Sequence, residues 1–265
     1  SSDVCSSDLN SHYGVADAIV SLDQMADELP NAEWVSVVVS WFGNSLDAGS
    51  CVLKPAVEYL SGNRTSPNEW SVAGFNRSSA HVITQIDGRA IYGGTPDDGS
   101  IVRYVTELRA RGYKIMFYPF ILMDVENKPW RGRITGSTTN VASFFTKTNG
   151  YNAFINHYAN LLAGKVDGFC IGSELVGLTK VKDGSNNFPA VNALVSLAAS
   201  VKAVVGSTTK VTYAADWSEY HHTEGGWYNL DPLWVSSSID FIGIDAYFPL
   251  TDEPQTGYDK QKIID

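Results

Sequence analysis

The segment Gly168-Phe169-Cys170-Ile171-Gly172-Ser173 carries no charge on either face and runs straight into Glu174. A strand apolar on both faces has to be covered on both, as inside a parallel sheet flanked by helices. Such a strand delivers its terminal side chain to the carboxyl-terminal mouth of the sheet, where α/β barrels keep their chemistry. The run Ile239-Asp240-Phe241-Ile242-Gly243-Ile244-Asp245 repeats the design with Asp245.

Hydrophobic periodicity extends this pattern along the chain. Val15, Ala18, Ile19, Leu22, Met25 and Leu29 form one face of a helix over 12–29. Strands are predicted at 34–41, 81–85, 114–120, 167–173, 210–215 and 239–245. Thr95-Pro96-Asp97-Asp98 reads as a helix start, with Thr95 as cap and Pro96 in the first turn, and Gly112 as its end. Further helices are expected at 54–60, 151–163, 189–205 and, briefly, 227–235. Residues 62–71 read as a polar, turn-rich stretch. Residues 125–149 read as a long polar loop carrying Trp130, Arg131 and Arg133. Alternation of strand and helix means a parallel sheet with right-handed crossovers. Six strands fit either an open doubly wound sheet or the first six of eight in a barrel. No Gly-x-Gly-x-x-Gly follows the first strand, and no Walker loop, Gly-x-Ser-x-Gly elbow or internal repeat occurs.

Composition narrows the function classes. Acidic residues outnumber basic ones 29 to 19, a formal charge of -10, which argues against nucleic acid or an anionic membrane surface as partner. No apolar run reaches the roughly 18 residues of a membrane span. Cys5, Cys51 and Cys170 form no disulfide framework and no zinc spacing, so no metal or cofactor is expected. His221-His222 lies near Asp216 and Glu219, but adjacent residues on an extended segment point to opposite sides. Aromatic content is generous at 12%, and aromatic faces pack on the apolar faces of sugars. Residues 1–9, Ser-Ser-Asp-Val-Cys-Ser-Ser-Asp-Leu, look like a translated sequencing adapter and are set apart as a non-native scar; 10–265 is read as one partial barrel domain.

Carboxylates mark the strand ends: Glu174, Asp216 with Glu219 close by, Asp245, and Asp124 after the 114–120 strand. Strand ends converge in a barrel, so these groups are expected to share one cleft. Glycosidic hydrolysis uses two carboxyl groups about 5–5.5 Å apart in retaining enzymes and about 6.5–9.5 Å apart in inverting ones, one of them held protonated. Glu174, behind Phe169 and Ile171, fits the acid role; a salt bridge or a helix cap would explain it equally. Trp217, Tyr220, Trp227 and Tyr247 follow strand ends and serve either as sugar platforms or as wall packing.

Six motifs, taken in order, carry a resemblance: Val38-Val39-Ser40-Trp41-Phe42-Gly43-Asn44-Ser45-Leu46-Asp47-Ala48-Gly49, Tyr92-Gly93-Gly94-Thr95-Pro96-Asp97-Asp98, Phe117-Tyr118-Pro119-Phe120 with Met123-Asp124, Ile171-Gly172-Ser173-Glu174-Leu175, Tyr213-Ala214-Ala215-Asp216-Trp217-Ser218-Glu219-Tyr220, and Gly243-Ile244-Asp245-Ala246-Tyr247-Phe248-Pro249-Leu250. Together they resemble the glycoside-hydrolase-like TIM-barrel domain of gene transfer agent and phage tail (baseplate) proteins, which is similar to clan A β-glycosidases of the β-mannanase kind. The resemblance implies a (β/α)8 barrel, truncated after about six strands, with Glu174 as acid/base at the end of the fourth. Trp41, Asp124, Asp216, Trp217, Glu219, Tyr220, Asp245 and Tyr247 would bind substrate. The nucleophile would end the seventh strand, beyond residue 265, so this chain alone is expected to be inactive and poorly soluble. Ser173 stands where the clan commonly has an asparagine that contacts the sugar 2-hydroxyl. The implied partners are a polysaccharide and other tail or baseplate proteins, in a virion tail, a gene transfer agent particle or the extracellular space. The alternative is a non-catalytic structural or carbohydrate-receptor-binding baseplate module.

Overall fold

A computed structural model describes residues 15–60 and 69–249. The adapter-like residues 1–9, most of the polar stretch 62–71 and the end of the chain lie outside them.

Five parallel strands form the scaffold: β1 (Trp34–Gly43), β3 (Lys114–Met123), β4 (Gly168–Ser173), β5 (Lys210–Asp216) and β6 (Gly243–Asp245). A short antiparallel strand, β2 (Leu53–Lys54), completes a six-stranded sheet in the order β6-β5-β4-β3-β1-β2. Helix α1 (Asp17–Glu28) precedes β1; α2 (Asp98–Ala110), α4 (Tyr151–Leu162) and α6 (Pro189–Val205) lie in the crossovers, with α3 (Thr138–Thr146) and the single turns α5 (Val176–Thr179) and α7 (Asp231–Trp234) beside them. Among the described residues the barrel is not closed.

The β1 and β3 sequences alternate, and their two faces have different fates. Val37, Val39 and Trp41 on β1, with Ile115, Phe117, Ile121 and Met123 on β3, are buried on the outer face. There they meet Phe144, Tyr151, Phe154 and Tyr158 from the helices. Ser36 and Val38, with Tyr118 and Phe120, point to the inner face and line its cavity. β4 is buried along its whole length, as its uncharged sequence requires.

Several expected elements are corrected. The 81–85 strand is reduced to His81–Val82, which pairs with Ala56–Val57 outside the main sheet. β1 and β3 pair directly through ten residues, from Trp34 with Lys114 to Gly43 with Met123, and leave no edge for a strand between them. The 54–60 helix is extended instead, because Leu53–Lys54 pairs with β1 and Ala56–Val57 with His81–Val82. The expected loop 125–149 contains a 3₁₀ turn, Arg131–Arg133, and α3, whose start Ser137 caps at the Asn140 N–H. Helix α2 begins later than expected, capped by Asp97 at Ser100. Thr95 turns away to donate to Ser40 O and to accept from Ala56 N. The 227–235 stretch divides into an extended Trp227–Tyr228, hairpinned with Thr223–Glu224, and α7.

Candidate active site

β4 carries an irregularity just before Glu174. Cys170 pairs with Thr212 but Ser173 pairs with Ala214, so three steps on β4 match two on β5. Such a bulge re-aims the side chains that follow it. Glu174 then adopts φ +53°, a left-handed conformation that a residue with a Cβ rarely takes. Its N–H stays bonded to Ala214 O at 2.9 Å. The side chain leaves the sheet axis and enters the mouth.

The mouth holds a cavity of roughly 790 Å³ lined by Ser36, Val38, Tyr118, Phe120, Trp130, Arg131, Glu174, Asp216, Trp217, Ser218, Asp245 and Tyr247. Glu174 Oε2 accepts from the Trp130 indole at 2.6 Å and lies 2.8 Å from Arg131 Nη2. Burial pushes the Glu174 pKa up. Arg131 and the indole pull it down; the charge of Asp245, and a hydrogen bond to Asp245 that only protonated Glu174 can donate, raise it again. The net displacement is upward, toward an acid that keeps its proton.

Asp245 is held from the other side. Its Oδ2 lies 2.6 Å from the Tyr118 hydroxyl and accepts from Ser173 Oγ at 3.1 Å. Burial pushes the Tyr118 phenol well up, so it remains a donor. Arg131 knits the layers together. Its Nε donates to Ser173 O, its Nη2 to Ser173 Oγ at 2.6 Å, and its guanidinium sits 4.9 Å above the Phe120 ring. Gly132 permits the Trp130 ring to fold down, since a Cβ there would stand 2.5 Å from the indole.

Five sequence-selected residues therefore meet in one cavity: Glu174, Asp216, Trp217, Asp245 and Tyr247. Asp216 and Asp245 are opposite partners on β5 and β6, which places both carboxylates at one level. The structure sets four others apart. Trp41 is buried in the outer core, stacked on Phe154 at 4.8 Å and donating to Tyr158 Oη. Asp124 accepts from Thr84 N and pairs with His81 Nε2 at 2.5 Å. Burial alone would raise its pKa, but His81 and Thr84 outweigh that and hold it below the usual carboxylate range. Glu219 is buried beneath the cavity, and Tyr220 is half-buried with its ring tilted against His221 at 4.5 Å. Sequence reasoning missed Tyr118 and Phe120 and left Trp130 and Arg131 in a polar loop away from the strand ends. The signal for the loop pair was faint: an aromatic next to a cation, inside a segment long enough to fold back over the strand ends. Ser173, in the position the clan gives to a sugar-binding asparagine, is only 1% exposed, and its hydroxyl is spent on Tyr118, Arg131 and Asp245. Glu174 ends the third parallel strand of the described sheet rather than the fourth, because 81–85 does not join it. No group of three or more metal-ligating side chains occurs among the described residues.

A parallel sheet wrapped by helices, with carboxyl groups and aromatic rings at its carboxyl-terminal mouth, has the architecture of a partial TIM barrel. Solved structures agree on the fold. A GH113 β-1,4-mannanase complex superposes with a TM-score of 0.54 at 18% identity, over 89% of this chain and 58% of that one. The GH113 β-mannanase AaManA of Alicyclobacillus acidocaldarius gives 0.55 at 17%, over 89% and 57%. The chain thus spans less than three-fifths of the length of these mannanases, and at such identities the likeness is one of fold. Within that class, residues 149–264 match the GTA TIM-barrel-like domain, which includes β4, β5, β6, Glu174, Asp216 and Asp245. No curated protein matches the chain in sequence.

Proposed function

We propose that the cavity belongs to a retaining glycoside hydrolase of a phage or gene transfer agent tail protein, acting on a β-linked polysaccharide of the host surface. The observation that carries this reading is the protonation bias of Glu174 inside a cavity rimmed by Trp130, Trp217 and Tyr247. A protonated carboxyl at that place can give its proton to a glycosidic oxygen and afterwards, as carboxylate, take one from water. The rings supply apolar faces for sugar stacking, and Asp216 and Asp245 supply acceptors for hydroxyl groups. The charge of Asp245, on the neighbouring strand end of the same cavity, pushes Glu174 up. Asp245 therefore acts as the group that raises the acid. The mannanase likeness makes β-mannan-type chains the first substrate to try. Other tail proteins would be the partners and a tail or particle the location.

A second reading has its own observation. The Arg131 ion pair at 2.8 Å favours the carboxylate form of Glu174, which suits a cleft that holds carbohydrate without cleaving it, as in a receptor-binding baseplate module. Hydrolysis of aryl β-mannosides and β-glucosides by a form of the protein that carries the complete barrel, and by its Glu174→Gln variant, separates the two. The glycosidase reading expects a loss of about 10²–10⁴-fold, the usual contribution of a general acid. Equal rates in both proteins would remove Glu174 from the mechanism. Oligosaccharide binding without turnover by either would establish the second reading.

A further inference from the structure

Glu219 is 1% exposed, and no cation pairs with it among the described residues. Its hydrogen-bond partners are all donors, and Asp216 is the charge beside it. Thr179 Oγ1 donates to Oε1 at 2.6 Å, the Tyr213 hydroxyl lies 3.0 and 3.2 Å from the two oxygens, and Asp216 N–H donates to Oε2 at 3.0 Å. Tyr213 Oη in turn accepts from Leu175 N–H at 2.7 Å. Leu175 is the residue after Glu174, and Thr179 ends the turn α5 that follows it. The strained backbone of Glu174 is therefore fixed on both sides: by Ala214 O at its own N–H and by the Tyr213–Glu219 pair at the next. Strained conformations persist only where their surroundings over-determine them.

We infer that Glu219 is a positioning residue: through Tyr213 and Thr179 it clamps the turn that aims Glu174 into the cavity, and through Asp216 N–H it sets the neighbouring strand end in the same frame. A buried carboxylate suits the task because it accepts three different donors at once, where an amide has only one oxygen to offer. Burial without a counter-ion pushes its pKa up to about 7, which shows how far the site departs from a solvated glutamate. The clamp stands on geometry; its meaning for catalysis rests on the glycosidase reading above.

Trp130 provides a test that needs no substrate, because its indole donates to Glu174. Protonation of Glu174 changes the charge at that N–H and thus the Trp130 emission. The Trp130-dependent step is the difference between pH titrations of the protein and of Trp130→Phe. Arg131, Asp245 and, through Asp245, Tyr118 face Glu174 and stay unchanged in every variant. In Glu219→Gln, and in the milder Thr179→Val, the step is expected to lose at least half its amplitude as Glu174 leaves the indole. Circular dichroism shows whether each variant is folded, and Thr179→Val decides the matter if Glu219→Gln is not. A step of full amplitude in folded variants would overturn the inference, and so would its absence from the unsubstituted protein. A protein that shows the step and its loss, yet cleaves no glycoside in a form that carries the complete barrel, would refute the glycosidase reading and leave the clamp standing.

Discussion

At the scale of single residues, the chemistry of the cavity turns on which carboxyl keeps a proton. Asp245 contributes charge and a hydrogen bond that raise Glu174. Asp245→Asn is therefore expected to lower the Glu174 pKa, read from the carboxyl carbon resonance of Glu174 against pH; an unchanged or raised value would contradict that role. Gly132→Ala is expected to displace the Trp130 ring, since the added Cβ meets it at 2.5 Å. Burial of the Trp130 ring and its 2.6 Å bond to Glu174 should weaken together, seen as a red-shifted emission. Glu219 makes a stability prediction with a definite sign. Its folded pKa of about 7 lies above a glutamate's ordinary 4.5. The folded state thus holds the proton more tightly, and the stabilisation is complete below the unfolded value and lost as pH rises through the folded one. Unfolding free energies from urea titrations should fall between those two pH values by roughly 3 kcal/mol, and Glu219→Gln should flatten the fall. Glu174, Asp216 and Asp245 were legible as site residues because each ends an apolar run. Glu219 was misplaced by the same logic. It follows Asp216 by three positions, and only the turn Glu219 N to Asp216 O folds its side chain back beneath the strand.

At the scale of elements, the long periodic segments were legible and the short ones were not. β3, β4, β5 and α6 lie within a few residues of expectation because both their faces or their helical stripe are apolar enough to declare burial. The 81–85 segment has the β-branched content of a strand, yet β1 and β3 saturate each other's hydrogen bonds over ten residues, which no local pattern reveals. Helix α3 was hidden because nine Thr-rich residues offer just Val141, Phe144 and Phe145 to the core. Trp41 shows the cost of reading a strand end as a cleft. It closes an outward-facing alternation with Val37 and Val39 and belongs to the core. Trp41→Ala is expected to destabilise the fold by about 3–5 kcal/mol, the range for a buried aromatic truncated in a packed core. Trp41→Phe should bind oligosaccharide like the parent. Calorimetric binding that differs between Trp41→Phe and the parent would return this residue to the site.

For the whole molecule, the free edge strand β6 leaves apolar surface unpaired among the described residues. Ile242 is more than half exposed, and Phe241 and Ile244 are over a third exposed. Apolar faces of this kind promote association, so the chain is expected to self-associate at micromolar concentration, and Ile244→Lys to reduce its light scattering. No helix among the described residues is long and apolar enough to cross a membrane. The amino-acid sequence alone determined the parallel α/β class, the order of its main elements and three of the carboxyls at its mouth. It could do so because strand burial, helical periodicity and the polarity of a strand end are local properties. Only the tertiary structure decided that β1 lies directly against β3, that Trp130 and Arg131 return from a distant loop to bind Glu174, and that Glu219 works from below. Those are contacts between segments some 40 residues or more apart in the case of Glu174, Arg131 and Thr179, and what fixes them is the competition for hydrogen bonds and buried volume once the sheet has formed.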